Sequence, residues 1–245
     1  MIPPVTGLQK MLETAASQQD MQLMLRVLSS GVTFRTQHRA GSRVLLHRMA
    51  SEGEKDIVRL LLEWDYPVDL THCEYGRTAL WWAVNAAELA TMQVLLSFGA
   101  DSNFDDGRHS TPMCLALMGD VHVEMLRAML ACGCRLPETM SLATPLLTYL
   151  IEQRRPAEII QEVIPRVEIE PKTDYMSPLA AAVSKGRFDI IPWLLSAGAD
   201  PNGLTPAGKS IAQLLDIRRL YHHDLPRHLS EAAAQLLAAG MRVEL

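Results

Sequence analysis

Apolar residues in this chain cluster in short groups, and the groups return about every 33 or 34 residues. In one stretch Thr78 opens a group of Leu80, Ala83 and Val84. A polar gap follows, then Val94-Leu95-Leu96, and the stretch closes on Gly99-Ala100-Asp101-Ser102-Asn103. The same order returns from Ser177-Pro178-Leu179-Ala180-Ala181-Ala182-Val183, through Ile190-Ile191 and Leu194-Leu195, to Gly198-Ala199-Asp200-Pro201-Asn202. Within each group the apolar positions keep helical spacing, so each stretch predicts two short helices joined by a turn. A Ser or Thr hydroxyl caps the first helix, and Pro fits its first turn. Small Ala residues let the paired helices approach, and Gly takes the left-handed position that ends the second. Helix pairs are predicted to begin near Thr78, Thr111, Thr144 and Ser177.

A fixed period in this range signals a solenoid, in which each unit contacts only its neighbours. The pattern of Thr-Pro-Leu-His-like starts, paired helices and Gly-Ala-Asp-x-Asn ends resembles the ankyrin repeat family. That resemblance implies an all-α solenoid of about seven helix-turn-helix units with β-hairpin-like connecting loops, forming a single domain over residues 1–245. The approximate units are 7–36, 39–69, 73–105, 106–140, 141–172, 173–205 and 206–245.

The units differ in how closely they keep the pattern. The second has Val44-Leu45 where Thr-Pro would stand, and Asp65 in place of the capping Gly. The fourth, from Thr111-Pro112, carries an extra residue between its helices. In the fifth, Pro156 and Pro165 bound a shortened second helix and Arg154-Arg155 replaces the usual Gly turn. The seventh holds an insertion around Tyr221 to Pro226. A Gln-rich start and an Arg- and His-rich last unit suit the polar ends of an array.

Composition narrows the function classes. The chain is 48% apolar and 21% charged, enough for a continuous core and too little charge for disorder. A net charge of −5 without a basic stripe argues against nucleic-acid binding. No apolar run approaches a membrane span and no signal peptide is visible, so a cytoplasmic protein is expected, with the nucleus as the alternative. The spacing of Cys73, Cys114, Cys132 and Cys134 suits a reducing compartment rather than a disulfide framework. Cys132-Gly133-Cys134 flanks a helix-capping glycine and lacks a second ligand pair nearby, so no metal site is expected. His222, His223 and His228 read as part of a solvated loop. No phosphate loop, nucleophile elbow or HExxH stands in the chain, so neither a catalytic residue nor a cofactor is assigned.

The resemblance also implies roles for single residues. His47 occupies the His of the Thr-Pro-Leu-His position, where the imidazole bonds neighbouring backbone. Trp81 fills that slot in the third unit and cannot accept a hydrogen bond, so the local network must differ there. Asn103 and Asn202 tie down hairpin loops, and some asparagines so placed in the family are hydroxylated.

The resemblance implies a concave groove formed by the hairpin tips and first helices, with one groove-facing position per unit just after the His position: Thr14, Arg48, Trp82, Leu115, Thr148, Ala181 and Leu214. Arg48, Trp82 and Leu115 give consecutive cationic, aromatic and aliphatic steps, with Tyr75, Arg77, Arg108 and His109 expected to flank them. Trp, Tyr and Arg are enriched at binding hot spots. This constellation points to a scaffold or adaptor that binds a protein through its concave groove. The alternative is a small-molecule or catalytic site in the same groove. There Arg48 and Arg77 hold an anionic group beside Trp82, and Glu52, Asp106 or His109 handle protons.

Overall fold

Helices of seven residues do not hold alone in water, so the short first helices here depend on their neighbours. The computed structural model describes residues 5–31, 45–71, 76–105, 111–119, 123–140, 144–170, 175–215 and 227–242. Its helices gather into two units, Met1–Arg135 and Leu136–Leu245.

The first unit holds four helix pairs: α1 (Val5–Ser17) with α2 (Met21–Ser29), α3 (Leu45–Ser51) with α4 (Lys55–Glu63), α5 (Ala79–Asn85) with α6 (Leu89–Ser97), and α7 (Pro112–Met118) with α8 (Val123–Ala131). Besides pairing within each repeat, α5 packs against both α3 and α7, and α4 packs against α6. The core between them is apolar: Leu46, Met49, Leu61, Leu80, Met92, Leu95, Met113 and Leu117 are all fully buried.

The second unit holds α9 (Leu146–Glu152) with α10 (Ala157–Val163) and α11 (Pro178–Ser184) with α12 (Ile191–Ser196), followed by α13 (Ile211–Leu214) and by α14 (Arg227–Ala238), which packs against the segment Phe188–Ile190. A 3-10 turn at Ile164–Arg166 ends the fifth repeat, and another at Phe188–Ile190 leads into α12. In α11 every residue except Ser184 is buried, where small alanines let α9 and α13 pack on either side.

Capping follows the sequence at three of the four predicted starts. Thr78 Oγ1 accepts from Trp81 N at 3.4 Å, Thr111 Oγ1 from Cys114 N at 3.2 Å, and Ser177 Oγ from Ala180 N at 3.3 Å. Ser210 adds a reciprocal capping box with Gln213. Thr144 departs from the expectation. Pro145 keeps an extended ψ of 138°, so α9 starts at Leu146 without a side-chain cap. The cause is a hairpin: Thr139 bridges Pro145, and Leu146 N donates to Glu138 O at 3.1 Å.

The left-handed residues mark the repeat. Second helices end at Gly31, Gly99, Gly133, Gly198 and Gly240, and Asp65 takes the same conformation at φ 59°. The fifth repeat has no such residue. Its helix α10 has seven residues, bounded by Pro156 as cap and Pro165 in the 3-10 turn, and Val167 leaves extended at φ −129°, ψ 159°. The turn before α10 places Arg154 at φ 54°. The predicted extra residue in the fourth repeat falls on 120–122, and the insertion of the seventh on 221–226. Both lie outside the described residues.

Candidate functional site

In the first unit the predicted row stays accessible. Thr14 is exposed, and Arg48 on α3, Trp82 on α5 and Leu115 on α7 are half-buried. Helix α5 carries two consecutive indoles on different faces. Trp81 turns inward at 7% exposure while Trp82 stays half-open. Their rings meet edge to face, with centroids 5.2 Å apart and planes at 77°, an attractive arrangement of ring quadrupoles.

The two cations serve this surface differently from the expectation. The Arg77 guanidinium lies over Trp81, its Cζ 3.8 Å from the ring centroid. Arg48 Nη2 donates to Ser17 Oγ at 2.8 Å and to Glu13 O at 3.3 Å, tying α3 back to α1. Ser17 and Glu13 went unnoticed in the sequence because this bond spans two repeats. A hydroxyl 31 residues upstream of the groove cation was the available signal. Tyr75, Arg108 and His109 lie outside the described residues.

His47 plays the backbone-bonding role that its position implies. It is 1% exposed, and its Nε2 stands 2.9 Å from Arg77 O. A carbonyl only accepts, so Nε2 carries the proton. The corresponding carbonyl before Ser177 is served otherwise. Thr148 Oγ1, one position beyond the His register, donates to Met176 O at 3.1 Å. Thr148 and Ala181 are buried, so in the second unit the row is closed at these two positions, while Leu214 is half-buried like Leu115.

The loops are held by a repeating side-chain ladder. Asp101 N donates to Asp69 Oδ1 at 2.9 Å, and Arg135 N to Asn103 Oδ1 at 2.9 Å. In the second unit Asp200 N donates to Glu170 Oε1 at 3.2 Å. Asn202 accepts from Arg242 N at 2.7 Å and donates to Gly240 O at 3.1 Å. Burial, opposed by the backbone donor and aided by a neighbouring aspartate, pushes the Asp69 and Glu170 carboxyls above their usual range. Cys132 is exposed and Cys134 buried on either side of left-handed Gly133, and burial pushes the Cys134 thiol up.

Comparison with known proteins agrees with this architecture. Ankyrin-repeat family models match residues 12–106, as three copies, and residues 174–205. The chain is 38% identical over 93 residues to the Caenorhabditis elegans ankyrin repeat and KH domain-containing protein mask-1. That match covers 38% of this chain and 4% of that protein. The chain spans between 3% and 8% of the length of the first curated relatives it matches. Among solved structures, the human ASB11 ankyrin repeat domain matches with a TM-score of 0.65 at 20% identity, over 95% of this chain and 99% of that one. An ankyrin repeat domain from Acinetobacter baumannii matches with a TM-score of 0.64 at 25% identity, over 80% and 97% of the two chains. With these matches over the helix pairs, turns and loop ladder described above, the chain belongs to the ankyrin repeat family.

Proposed function

We propose that this protein is a scaffold or adaptor that holds a partner protein on the groove-facing side of its first unit. Ankyrin repeats are in general protein–protein interaction modules, and the fold supports that class here. The observation that carries the reading is the half-open row Arg48, Trp82 and Leu115. In the second unit the same register holds buried Thr148 and Ala181 and a single half-buried residue, Leu214. Leaving an indole and a leucine partly in water costs apolar area that a partner recovers on binding. Trp82 offers that area with little entropy to lose, because the edge-to-face contact with Trp81 holds its ring.

The small-molecule reading of this surface draws less support. An anionic ligand needs Arg48 and Arg77, and both guanidinium groups already have partners within the unit. The proposal includes a cytoplasmic or nuclear setting, which the free thiols of Cys114, Cys132 and Cys134 suit.

The test is affinity capture from native lysate with parallel baits. Partners should be retained by the wild type and by Trp64→Ala, which removes an exposed tryptophan elsewhere in the unit, and lost with Trp82→Ala and Leu115→Ala. Equal loss with Trp64→Ala, or full retention without the Trp82 indole, would sink the assignment.

A further inference from the structure

The fifth repeat opens a cavity of about 400 Å³ in the second unit, well away in sequence from the groove residues. Its origin lies in the departures already described. Pro165 ends the second helix early, Val167 leaves extended where other repeats turn through a left-handed residue, and Pro145 stays in a hairpin bridge. Residues of both segments line the cavity.

The lining is graded. Leu146 and Leu147 are each 2% exposed, and with buried Pro145 and Pro178 they form the floor. Glu138, Glu168 and Arg166 are exposed and stand at the mouth. Arg166 Nη1 donates to Glu162 O and lies 3.5 Å from Glu162 Oε2, so its charge is already countered. Among the described residues Glu138 and Glu168 have no ion-pair partner. The cavity is thus apolar within and acidic at its rim, in the size range of pockets that hold a short peptide stretch or small ligand.

We propose that this cavity binds a peptide segment of a partner protein, with a Lys or Arg side chain between apolar residues. Such a side chain matches the gradient: its methylene stem lies along the leucine and proline floor while its charged head stays at the wet rim. There Glu138 and Glu168 accept charge-assisted hydrogen bonds, and an arginine fork meets a carboxylate with two of them. Three prolines in the lining keep the walls stiff, which lowers the entropy lost on binding.

The probe is a fluorescein-labelled peptide with one arginine between two leucines, followed by anisotropy on the full chain. Glu138→Gln/Glu168→Gln should weaken binding about tenfold or more, as should glutamate in place of the peptide's arginine. Amide NMR shifts should centre on Leu146, Leu147 and Val167. Both glutamates are exposed, so the variant should keep the wild-type melt, and Trp82→Ala should leave the affinity unchanged. That last arm separates failure of this site from failure of the groove. No binding, affinity indifferent to either charge change, or shifts gathered around Trp82 would overturn the proposal. So would butylguanidinium alone binding as tightly as the peptide, which would mark a small-molecule site instead.

Discussion

Two single truncations, Leu95→Ala and Trp82→Ala, test whether the half-open indole belongs to the core or to a binding surface. Leu95 is 0% exposed on α6, in the layer where α6 meets α4 and α5. Removing its isobutyl end leaves a hole that close-packed neighbours refill only in part, so stability should fall by about 3 kcal/mol. Trp82 loses less. Its half-buried ring gives up one edge-to-face contact worth about 1 kcal/mol and the covered part of its area, for a total near 2 kcal/mol. The order reverses for affinity. Trp82→Ala should weaken partner binding by about 2 kcal/mol or more, roughly thirtyfold, while Leu95→Ala leaves it near wild type under conditions where the fold holds. Urea unfolding followed by far-UV circular dichroism gives the first ranking, and titration of a captured partner the second. Should Trp82→Ala cost as much stability as Leu95→Ala and leave affinity unmoved, the indole is a packing residue and the surface has been misread.

Four further outcomes follow from the same structure. Thr91 is fully buried with no partner for its Oγ1 among the described residues, so Thr91→Val should stabilise by about 1 kcal/mol; a lower urea midpoint would show that the hydroxyl is satisfied. Ala87 sits exposed at φ 59°, so Ala87→Gly should raise stability by about 0.5 kcal/mol, whereas Gly53→Ala at φ 77° should lower it because a Cβ is strained in that left-handed conformation. Asp69 and Glu170 have raised pKa values, so the native state binds more protons than the unfolded chain in the range just above their unfolded values of about 4. Stability should therefore fall as pH rises through that range. Asp69→Asn with Glu170→Gln should flatten this slope in a series of urea midpoints, and a slope kept intact would assign it to other groups. Amides of residues 156–165 should exchange faster than those of 186–198, because two prolines and left-handed Arg154 weaken the fifth repeat locally; slower exchange there would contradict this.

What could be read in the sequence was the chemistry that acts within one repeat. Thr78, Thr111 and Ser177 cap their helices because a hydroxyl three residues from its amide partner needs no help from elsewhere. Asp65 was legible as a substitute glycine for the same reason, since short polar side chains tolerate the left-handed region. Thr144 was not, because the hairpin bond from Leu146 N to Glu138 O decides where α9 begins. The groove row split along the same line. Its register is local and correctly left Arg48, Trp82 and Leu115 accessible, but Thr148 was buried by a bond to a carbonyl 28 residues on. Nor did residue type reveal that Arg48 spends donors on α1 and that the Arg77 guanidinium covers Trp81.

These long-range terms give the two proposed surfaces different physical origins. The groove arises because the repeat is kept: successive first helices place one residue each in a common row, and apolar choices at two steps leave area uncovered. The acidic cavity arises because the repeat is broken. Where a second helix ends through a left-handed residue, as at Asp65, the loop after it joins the ladder, Asp69 accepting from Asp101 N. Proline at 165 removes an amide and fixes φ, so the fifth repeat leaves its second helix extended at Val167 and reaches the same ladder by that route, Glu170 accepting from Asp200 N. Local rules broken at one place, with a lined and charged cavity as the result, are what a functional site looks like when stability is given up for a surface. The fifth repeat therefore ranks beside Trp82 as a place where variants should change binding before they change the fold.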